Sequence, residues 1–411
     1  MTGVERVLGR IEEIFALAPG RDGGASRPAF SEAEARATLL VAGWAREAGL
    51  EPGVDPHGNL WCLPPGGAPC VTSGSHVDTV PGGGRYDGPL GTVLAVEAAS
   101  RVGGNRGVLI CAAEEASRFG SGTLGSRPMT GKLSEEGLSR LRDADGRDAL
   151  TARTEYLDAL VDLPRLGRPP LERISFHIEV HIEQRADLRE NGLSLGVATS
   201  VAGPVRYRLR FTGEVAHAGE TPTARRHDAL CAASETVLLA ERLGRRYAPE
   251  TTATVGTVAV HPNSFTSIPG EVELGVDIRG TGPGGARRLL QELLDGARGA
   301  ADRRGVYLMD EEISASEPTE MDGEMVEAVE DACTRLDVRC GRCVSFAGHD
   351  AQHLATVVPA ALVFVASENG VSHAPEESVA EEDVEAALGV LCALMENLQG
   401  KQTLSTLRGR R

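Results

Sequence analysis

Residues Gly74–Gly91, GSHVDTVPGGGRYDGPLG, are the stretch on which the fold and the chemistry of this 411-residue chain depend. They follow a short apolar segment, Cys70–Ser73, that is typical of a strand, and they lead into Leu90–Ala99, which is patterned as a helix. On its glycine-rich turns the stretch carries His76, Asp78 and Asp87. A strand, a polar turn and a helix in this order predict an α/β fold with polar side chains at the carboxyl end of a strand.

Two further segments follow the same arrangement. The apolar run Gly107–Ala112 leads into Glu114 and Glu115, and the run Ile174–Ile182 ends close to His181. The first of these runs is typical of strands that are buried on both faces, and the second also predicts a strand. Their alternation with helices predicts an α/β fold on a mixed, largely parallel sheet covered by helices.

Serine residues are predicted to begin two helices. Ser31 with Glu34 fits a capping box in front of EAEARATLLVAGWAREAGL, and Ser378 with Glu381 fits one in front of the last helix. The spacing of apolar residues in the first of these helices predicts one buried face. That face would carry Leu39, Leu40, Trp44 and Ala48.

The pattern changes character near Gly203. Apolar and polar residues alternate strictly over residues 205–212, which is typical of an antiparallel strand with one face in the core and one in solvent. The order that follows, strand, helix, strand, strand, helix, predicts an inserted α+β module. We therefore expect a discontinuous catalytic domain, 1–203 with 318–411, and an inserted lid or dimerisation domain, 204–317.

Composition argues against several classes of protein. The formal net charge is -17, from 42 basic and 59 acidic residues, whereas a nucleic-acid partner requires clustered Lys and Arg. The first residues lack the basic and apolar regions of a signal peptide, and no apolar run reaches the length of a membrane span. We expect a cytoplasmic protein without a membrane partner, whose cysteines are mostly buried thiols. Cys340 and Cys343 form a C-x-x-C that has no second such pair, so two ordinary thiols are expected there.

The histidines and carboxylates of these turns are candidate ligands of a two-metal hydrolytic centre. Asp87 suits the bridging position, because Gly82–Gly84 lets the backbone turn inward before it. Alternation places Asp78 on the same side as His76, where it can orient the imidazole ring. In the adjacent pair Glu114–Glu115, one carboxylate can bind metal while the other serves as general base. The remaining candidates are His181 and His373.

A set of segments occurs in the order found in a known family. The segments are GSHVDTVPGGGRYDGPLG, AAEEASRFG, EVHIEQ, VAHAGETPTARRHDAL, SIPGEVELGVDIRG, AGHDAQ and GVSHAPEE. On these motifs the chain resembles, over nearly its whole length, the amidase/hydantoinase/carbamoylase family of di-metal amidohydrolases. That family includes N-carbamoyl-L-amino acid hydrolases, β-ureidopropionases and allantoate amidohydrolases. The resemblance implies a di-zinc-peptidase-like catalytic domain with a mixed sheet, and an inserted dimerisation domain with an antiparallel sheet and two helices.

The resemblance also implies roles in the metal centre. One divalent ion would be held by His76, Asp87 and His181, and the other by Asp87, Glu115 and His373. Zn2+ is favoured, with Mn2+, Co2+ or Ni2+ as alternatives. Glu114 would be the general base acting on a metal-bridging hydroxide, and Asp78 would orient His76.

Other residues would act on the substrate, a small molecule that bears a carboxylate. In a homodimer, His217 would enter the neighbouring active site and stabilise the developing oxyanion. Arg279 would grip the carboxylate, because a guanidinium recognises carboxylates in a bidentate manner. The substrate-binding set implied by the resemblance is Gln184, Arg279, Thr266, Phe346, Ala347 and Gly348.

Several positions in the expected substrate pocket depart from the family's pattern. Thr266 stands where asparagine is usual, Phe346 where glycine is usual, and Arg185 where a glycine usually follows HIEQ. The metal and base positions are unchanged. We therefore expect hydrolysis of a linear amide or ureido C–N bond in a carboxylate-bearing N-carbamoyl or related N-acyl amino acid, but not of the family's commonest substrates at good efficiency.

Two other functions stay open. The first is an N-acyl amino acid deacylase or dipeptidase of the wider aminoacylase and carboxypeptidase clan, against which the segments HIEQ and AGHDA argue. The second is a catalytically silent binding protein on the same scaffold. The intact Glu114 and metal ligands argue against that function.

Overall fold

The computed structural model describes residues 2–20 and 23–399. Its helices are α1 (Gly3–Ala16), α2 (Glu32–Glu47), α3 (Pro89–Val102), α4 (Ser126–Met129), α5 (Glu135–Arg140), α6 (Ala149–Ala159), α7 (Asp187–Glu190), α8 (Ala229–Tyr247), α9 (Gly285–Asp302), α10 (Gly323–Arg335), α11 (Asp350–Leu354) and α12 (Glu381–Leu398). Its strands are β1 (Glu51–Val54), β2 (Leu60–Leu63), β3 (Cys70–Gly74), β4 (Arg106–Ile110), β5 (Ile174–Ile182), β6 (Leu195–Val201), β7 (Gly203–Thr212), β8 (Ala216–His217), β9 (Thr251–His261), β10 (Ser267–Ile268), β11 (Glu271–Gly280), β12 (Tyr307–Ala315), β13 (Thr319–Glu320), β14 (Cys340–Ser345) and β15 (Ala360–Val365).

The described chain divides into two compact units. The first takes the residues up to Thr199, then Glu320–Cys343 and the residues from Gly348 onward. The second takes Ser200–Thr319 and Val344–Ala347. Among the described residues, no helix combines the length and the apolar character that crossing a membrane requires.

A nine-stranded mixed sheet organises the first unit. Its order is β1-β2-β4-β3-β5-β15-β6-β13, with β14 beside β6. The central strands β4, β3, β5 and β15 run parallel to their neighbours within this group, whereas β1, β2 and β6 pair antiparallel. The strand β15, AALVFV, is buried at every position, because helices cover the middle of the sheet. The predicted α/β class with a mixed sheet is confirmed.

The second unit is an antiparallel sheet of order β12-β7-β11-β9 with two helices. Alternate residues of β7 and β11 point into one core, in which Leu209 pairs with Leu274 and Phe211 with Val272. The helices α8 and α9 pack on that face of the sheet. The strand β12 was not predicted, since its sequence YLMDEEISA carries three consecutive acidic residues on an exposed edge.

The predicted helix starts were only partly right. Ser31 does cap α2 by accepting the N–H of Glu34, but the Glu34 carboxylate turns inward to other partners, so no capping box forms. The predicted buried face was rotated: Trp44 is buried, whereas Leu39, Leu40 and Ala48 are half-buried, because α2 packs through Ala35, Thr38, Val41, Ala42 and Ala45.

The last helix begins later than predicted. Its N-cap is Ala380, and the Ser378 hydroxyl donates to the carboxylate of Glu368. The cysteines are all free thiols: Cys62, Cys70, Cys111 and Cys333 are buried, and Cys231 alone among the eight is exposed. Cys340 and Cys343 lie on β14.

Candidate metal centre and active site

The predicted ligands of the first unit follow neighbouring strands of its sheet. His76 and Asp78 follow β3, Glu114 and Glu115 follow β4, and His181 lies near the end of β5. His373 lies in the loop between β15 and α12, and Asp87 lies just before α3. Because β4, β3, β5 and β15 are adjacent and parallel, their carboxyl ends meet at one edge of the sheet.

Two groups of side chains at this edge could each hold a cation. The groups are His76, Asp87, His181 and Asp87, Glu115, His373, and in each the ligand atoms lie within 4.8 Å of one another. Asp87 Oδ1 lies 3.1 Å from His181 Nε2 and 3.5 Å from His76 Nε2. Asp87 Oδ2 lies 3.5 Å from His373 Nε2, which is also 3.5 Å from Glu115 Oε1. Because one carboxylate turns a different oxygen to each group, the donor set fits a pair of divalent ions that share a bridging ligand.

Contacts at Nδ1 fix the orientation of the His76 and His181 rings. His76 Nδ1 lies 3.1 Å from the Asp78 carbonyl oxygen and 3.3 Å from its Oδ1, and His181 Nδ1 lies 3.0 Å from the Ile182 carbonyl. A ring that donates from Nδ1 keeps the lone pair of Nε2 available. In both rings Nε2 faces Asp87, so these contacts orient the rings for metal binding.

Glycine is required at the turn that delivers Asp87. Gly88 has a φ of 85°, and a Cβ at this position would lie 2.5 Å from the His76 ring. A side chain there would be strained and would also displace a candidate ligand.

Three further side chains hold the Asp87 turn, and two of them, Ser372 and Glu377, were not identified from the sequence. The Ser372 hydroxyl donates to Asp87 Oδ2 at 2.6 Å, and Nε2 of Gln184, which was predicted to bind substrate, donates to the same oxygen at 3.2 Å. The Glu377 carboxylate accepts the backbone N–H of Tyr86 at 2.8 Å and that of Asp87 at 3.3 Å. Ser372 and Glu377 flank His373 in GVSHAPEES, which was the available signal.

His349 was also missed. It is buried in the first unit, and its ring centroid lies 4.6 Å from that of His181 in an edge-on arrangement. Burial and the nearby His181 hold its pKa well below the usual range. A neutral ring therefore packs behind His181, one of the candidate metal ligands.

The carboxylates at this edge differ in their tendency to ionise. Burial opposes ionisation of Asp87, yet the His181 and His76 rings hold its pKa well below its usual range. Burial raises the pKa of Glu114 well above its usual range. Burial, together with the charge of Asp87, raises the pKa of Glu115 to about 8. Carboxyl groups crowded in this way gain most from a divalent cation, which favours their ionised form.

Glu114 lies beside the first group. Its Oε2 is 4.0 Å from His76 Nε2, and its side chain is 11% exposed. The backbone N–H groups of Glu114 and Glu115 donate to the two oxygens of Asp78 at 3.1 and 3.0 Å. Asp78 therefore contacts both the ring of His76 and the backbone that carries the acidic pair.

The other predicted residues lie mostly in the second unit. His217 on β8 is exposed, and its Nδ1 accepts the N–H of Gly219 at 3.1 Å, which leaves Nε2 to donate. Thr266 lies beside it, since its carbonyl accepts the N–H of Ala218 at 2.9 Å. Within the same unit, Arg279 donates to Asp277 Oδ1 at 2.8 Å and to the Phe346 carbonyl at 2.6 Å.

The remaining predicted residues are divided between the units. Ala347 belongs to the second unit and Gly348 to the first. Arg185 is largely exposed and pairs with Asp187 at 3.1 Å. Its positive charge is therefore partly offset by that carboxylate.

Comparison with known proteins shows similarity along nearly the whole chain. A profile described as "Peptidase family M20/M25/M40" matches residues 73–397. An N-carbamoyl-L-amino acid amidohydrolase of Geobacillus stearothermophilus is 34% identical, covering 94% of this chain and 96% of that protein. An allantoate amidohydrolase of Bacillus subtilis (strain 168) is 31% identical, again covering 94% and 96%. Among solved structures, an amidase of the hydantoinase/carbamoylase family from Burkholderia multivorans has a TM-score of 0.85 and 34% identity, covering 97% of this chain and 98% of that one.

Proposed function

We propose a substrate class and a mechanism for this chain, which belongs to peptidase family M20/M25/M40. Because its relatives over most of its length are amidohydrolases, it is a hydrolase of non-peptide C–N bonds. The substrate is an N-carbamoyl or related N-acyl amino acid with a free carboxylate, cleaved at a linear amide or ureido bond. The observation that carries the proposal is the pair of ligand groups that share Asp87, with Glu114 beside them.

In the proposed mechanism, His76, Asp87 and His181 would hold one divalent ion, and Asp87, Glu115 and His373 would hold the other. Zn2+ is the preferred ion. When bound, such a pair lowers the pKa of a water molecule and polarises the carbonyl under attack. Glu114 accepts the proton of the attacking water at a carboxylate oxygen and passes it to the departing nitrogen. Asp78 contacts both the ring of His76 and the backbone of Glu114 and Glu115, so it fixes their positions relative to each other.

The second unit would bind the rest of the substrate and act as a lid and dimerisation domain. Asp277 orients the guanidinium of Arg279, which is the proposed partner of the substrate carboxylate. His217 donates from Nε2 to the developing oxyanion in the partner's site, and its bond from Gly219 sets the tautomer that this role requires.

An exposed sheet edge supports the proposed homodimer. The strand β9 is an end strand of the four-stranded sheet, and Val258 on it is 55% exposed. Beside it, a groove of about 310 Å³ is lined by apolar residues of α8 and the sheet. Its apolar lining is Leu230, Ala233, Val237, Leu238, Val258 and Leu274. An unpaired edge next to an apolar groove is suited to a second copy of the same edge.

The proposed pocket differs from that of the family's commonest enzymes. Thr266 offers a shorter hydroxyl where an amide is usual, and Phe346 adds a ring where glycine is usual. Together with Arg185, these changes favour a substrate with an extra apolar or aromatic group or an extra negative charge. We also propose a cytoplasmic location, which the free thiols support.

A substrate panel tests the proposal. The purified protein, supplied with Zn2+, Mn2+, Co2+ or Ni2+, is assayed on N-carbamoyl amino acids, β-ureidopropionate, allantoate and N-acyl amino acids, with ammonia and free amine as readouts. We expect turnover of N-carbamoyl compounds with bulky side chains and weak turnover of allantoate. Efficient allantoate hydrolysis by the wild type would reject the altered pocket, and turnover of N-acyl amino acids alone would make the chain a deacylase. The double variant Phe346→Gly, Thr266→Asn should move activity toward allantoate.

A further inference from the structure

Two ionisable side chains near the start of the chain are completely buried. Arg27 and Glu34 are each 0% exposed, and both precede the stretch matched by the family profile, which begins at residue 73. Neither is a candidate metal ligand or base. Burying a charge is costly unless it is well partnered, so their contacts indicate what they do.

Glu34 binds two backbone N–H groups, one with each carboxylate oxygen. Oε2 accepts the N–H of Phe30 at 2.5 Å, and Oε1 accepts the N–H of Ala113 at 2.8 Å. Both donors have a φ of 54°, in the left-handed region that residues with a Cβ rarely adopt. Ala113 is the residue directly before Glu114. Glu34 therefore holds a strained backbone at the point where the chain turns into the acidic pair.

Arg27 contacts the other loop of the centre. Its Nε donates to the carbonyl of Val77 at 2.8 Å, and Val77 lies between His76 and Asp78. The backbone of Arg27 is fixed to the same loop, because its N–H donates to the Thr79 hydroxyl at 2.9 Å and its carbonyl accepts the N–H of Thr79 at 2.9 Å.

Arg27 is a positive charge that acts electrostatically on Asp78 and Glu34. Burial lowers the pKa of Arg27 to about 10, against the opposing charges of Asp78 and Glu34, so the guanidinium stays protonated at neutral pH. The cation lies within electrostatic reach of Asp78 and of Glu34, whose pKa burial and the charge of Asp78 raise well above its usual range. Asp78 in turn binds the N–H groups of Glu114 and Glu115, so the two loops are joined through this cluster.

We propose that Glu34 and Arg27 are positioning residues of the metal centre, which hold the His76–Asp78 loop and the Ala113–Glu115 loop at the spacing that two cations require. The inference rests on the proposed function, because it assigns these residues to the same centre. The inference also assigns residues 27–34, which lie outside the match to the family profile, to the support of the metal centre.

The test compares Glu34→Ala and Glu34→Gln with a matched control, Glu97→Gln. The Glu97 side chain is 2% exposed and binds Arg6 and Arg101, but it contacts neither loop. Zn2+ dissociation constants are measured by chelator competition on metal-stripped protein, and hydrogen exchange is followed on a peptide that contains Ala113. We expect Glu34→Ala to weaken Zn2+ binding about 10- to 100-fold and to speed exchange at Ala113. Glu34→Gln, which keeps one acceptor oxygen, should lie between it and the wild type, and kcat should fall with little change in KM.

The outcomes separate positioning from mere stability. If folded Glu34→Ala binds Zn2+ as the wild type does, or if Glu97→Gln loses as much affinity, the inference is overturned. If Glu34→Ala does not fold, Glu34→Gln decides: a lower melting temperature with unchanged Zn2+ affinity overturns the inference. A wild type that hydrolyses nothing in the substrate panel would reject the proposed function, and the Zn2+ and exchange measurements would still decide the role of Glu34.

Discussion

Glu114 is the side chain on which the proposed chemistry depends most directly. Its neighbour Glu115 is a candidate ligand, whereas Glu114 belongs to neither ligand group. We expect Glu114→Gln to bind two metals and to keep its melting temperature, but to lose about 10²–10⁴-fold in kcat, because an amide cannot accept the proton of water. Turnover assays with metal analysis on the same sample check this. Near-normal kcat would assign the base to another residue.

His217 is the residue through which two subunits would share one site. Its Nδ1 is occupied by backbone N–H groups, so Nε2 can donate. We expect His217→Ala and Glu114→Gln to be inactive as homodimers and to recover activity when mixed, because half of the sites in a heterodimer would then be intact. Subunit exchange is verified by native mass spectrometry. Absence of recovery despite exchange would mean that each site is built from a single chain.

The strand β5 contains a buried histidine, His177, that should make the free energy of unfolding depend on pH. His177 is buried beside the Thr72 hydroxyl, and burial lowers its pKa to about 3. Above the ordinary pKa of about 6.5 the ring is neutral in both states, so its full contribution to stability is present. As the pH falls below that value the unfolded chain takes up a proton that the folded chain refuses. The free energy of unfolding should therefore drop by about 1.4 kcal/mol per pH unit until the pH nears the folded pKa.

Urea unfolding of metal-stripped protein checks this at pH values from 7 down to about 4, a range in which the folded state keeps His177 neutral. We expect His177→Gln to show a shallower loss of stability with falling pH than the wild type. Parallel curves for the two proteins would mean that His177 does not carry the acid sensitivity.

The edge strand β9 is the element on which the dimer would depend. We expect Val258→Lys to give a monomer, since a charged residue on an edge strand opposes pairing. The matched control is Ile313→Lys on the opposite edge strand β12, where Ile313 is 48% exposed against 55% for Val258. Sedimentation velocity should show a dimer for the control. A dimeric Val258→Lys would place the interface elsewhere.

At the scale of the whole molecule, metal should support both activity and stability. A chelator should abolish turnover and lower the melting temperature, because Asp87, Glu114 and Glu115 are left crowded without a cation. Thermal melts and assays after re-addition of each candidate metal check this, and the metal that restores kcat best is the functional one. Activity that is indifferent to chelation, with no metal found by elemental analysis, would reject a metal centre.

The sequence could predict what depends on local pattern and fixed spacing. The strand β4 was predicted from the apolar run Gly107–Ala112, and the structure brings the predicted ligands that follow β3 and β4 together at one edge with His181 of β5. It could not predict partners chosen in three dimensions. Glu34 has the spacing of a capping box, yet its carboxylate binds Ala113, far along the chain. Ser372 and Glu377 support Asp87 in a way that spacing does not show.

The order of the ligands along the chain has a consequence for synthesis on the ribosome. His76, Asp87 and His181 all emerge before the second unit, whereas His373 emerges after it, and so does β15, which lies between β5 and β6 in the sheet. Protein domains generally fold as units while translation proceeds. A nascent chain that has passed residue 319 thus possesses a complete first ligand group and a nearly complete second unit, but an open gap in its large sheet. Premature termination before β15 would release a polypeptide that contains all three residues of the first candidate group but lacks both His373 and the strand that joins β5 to β6.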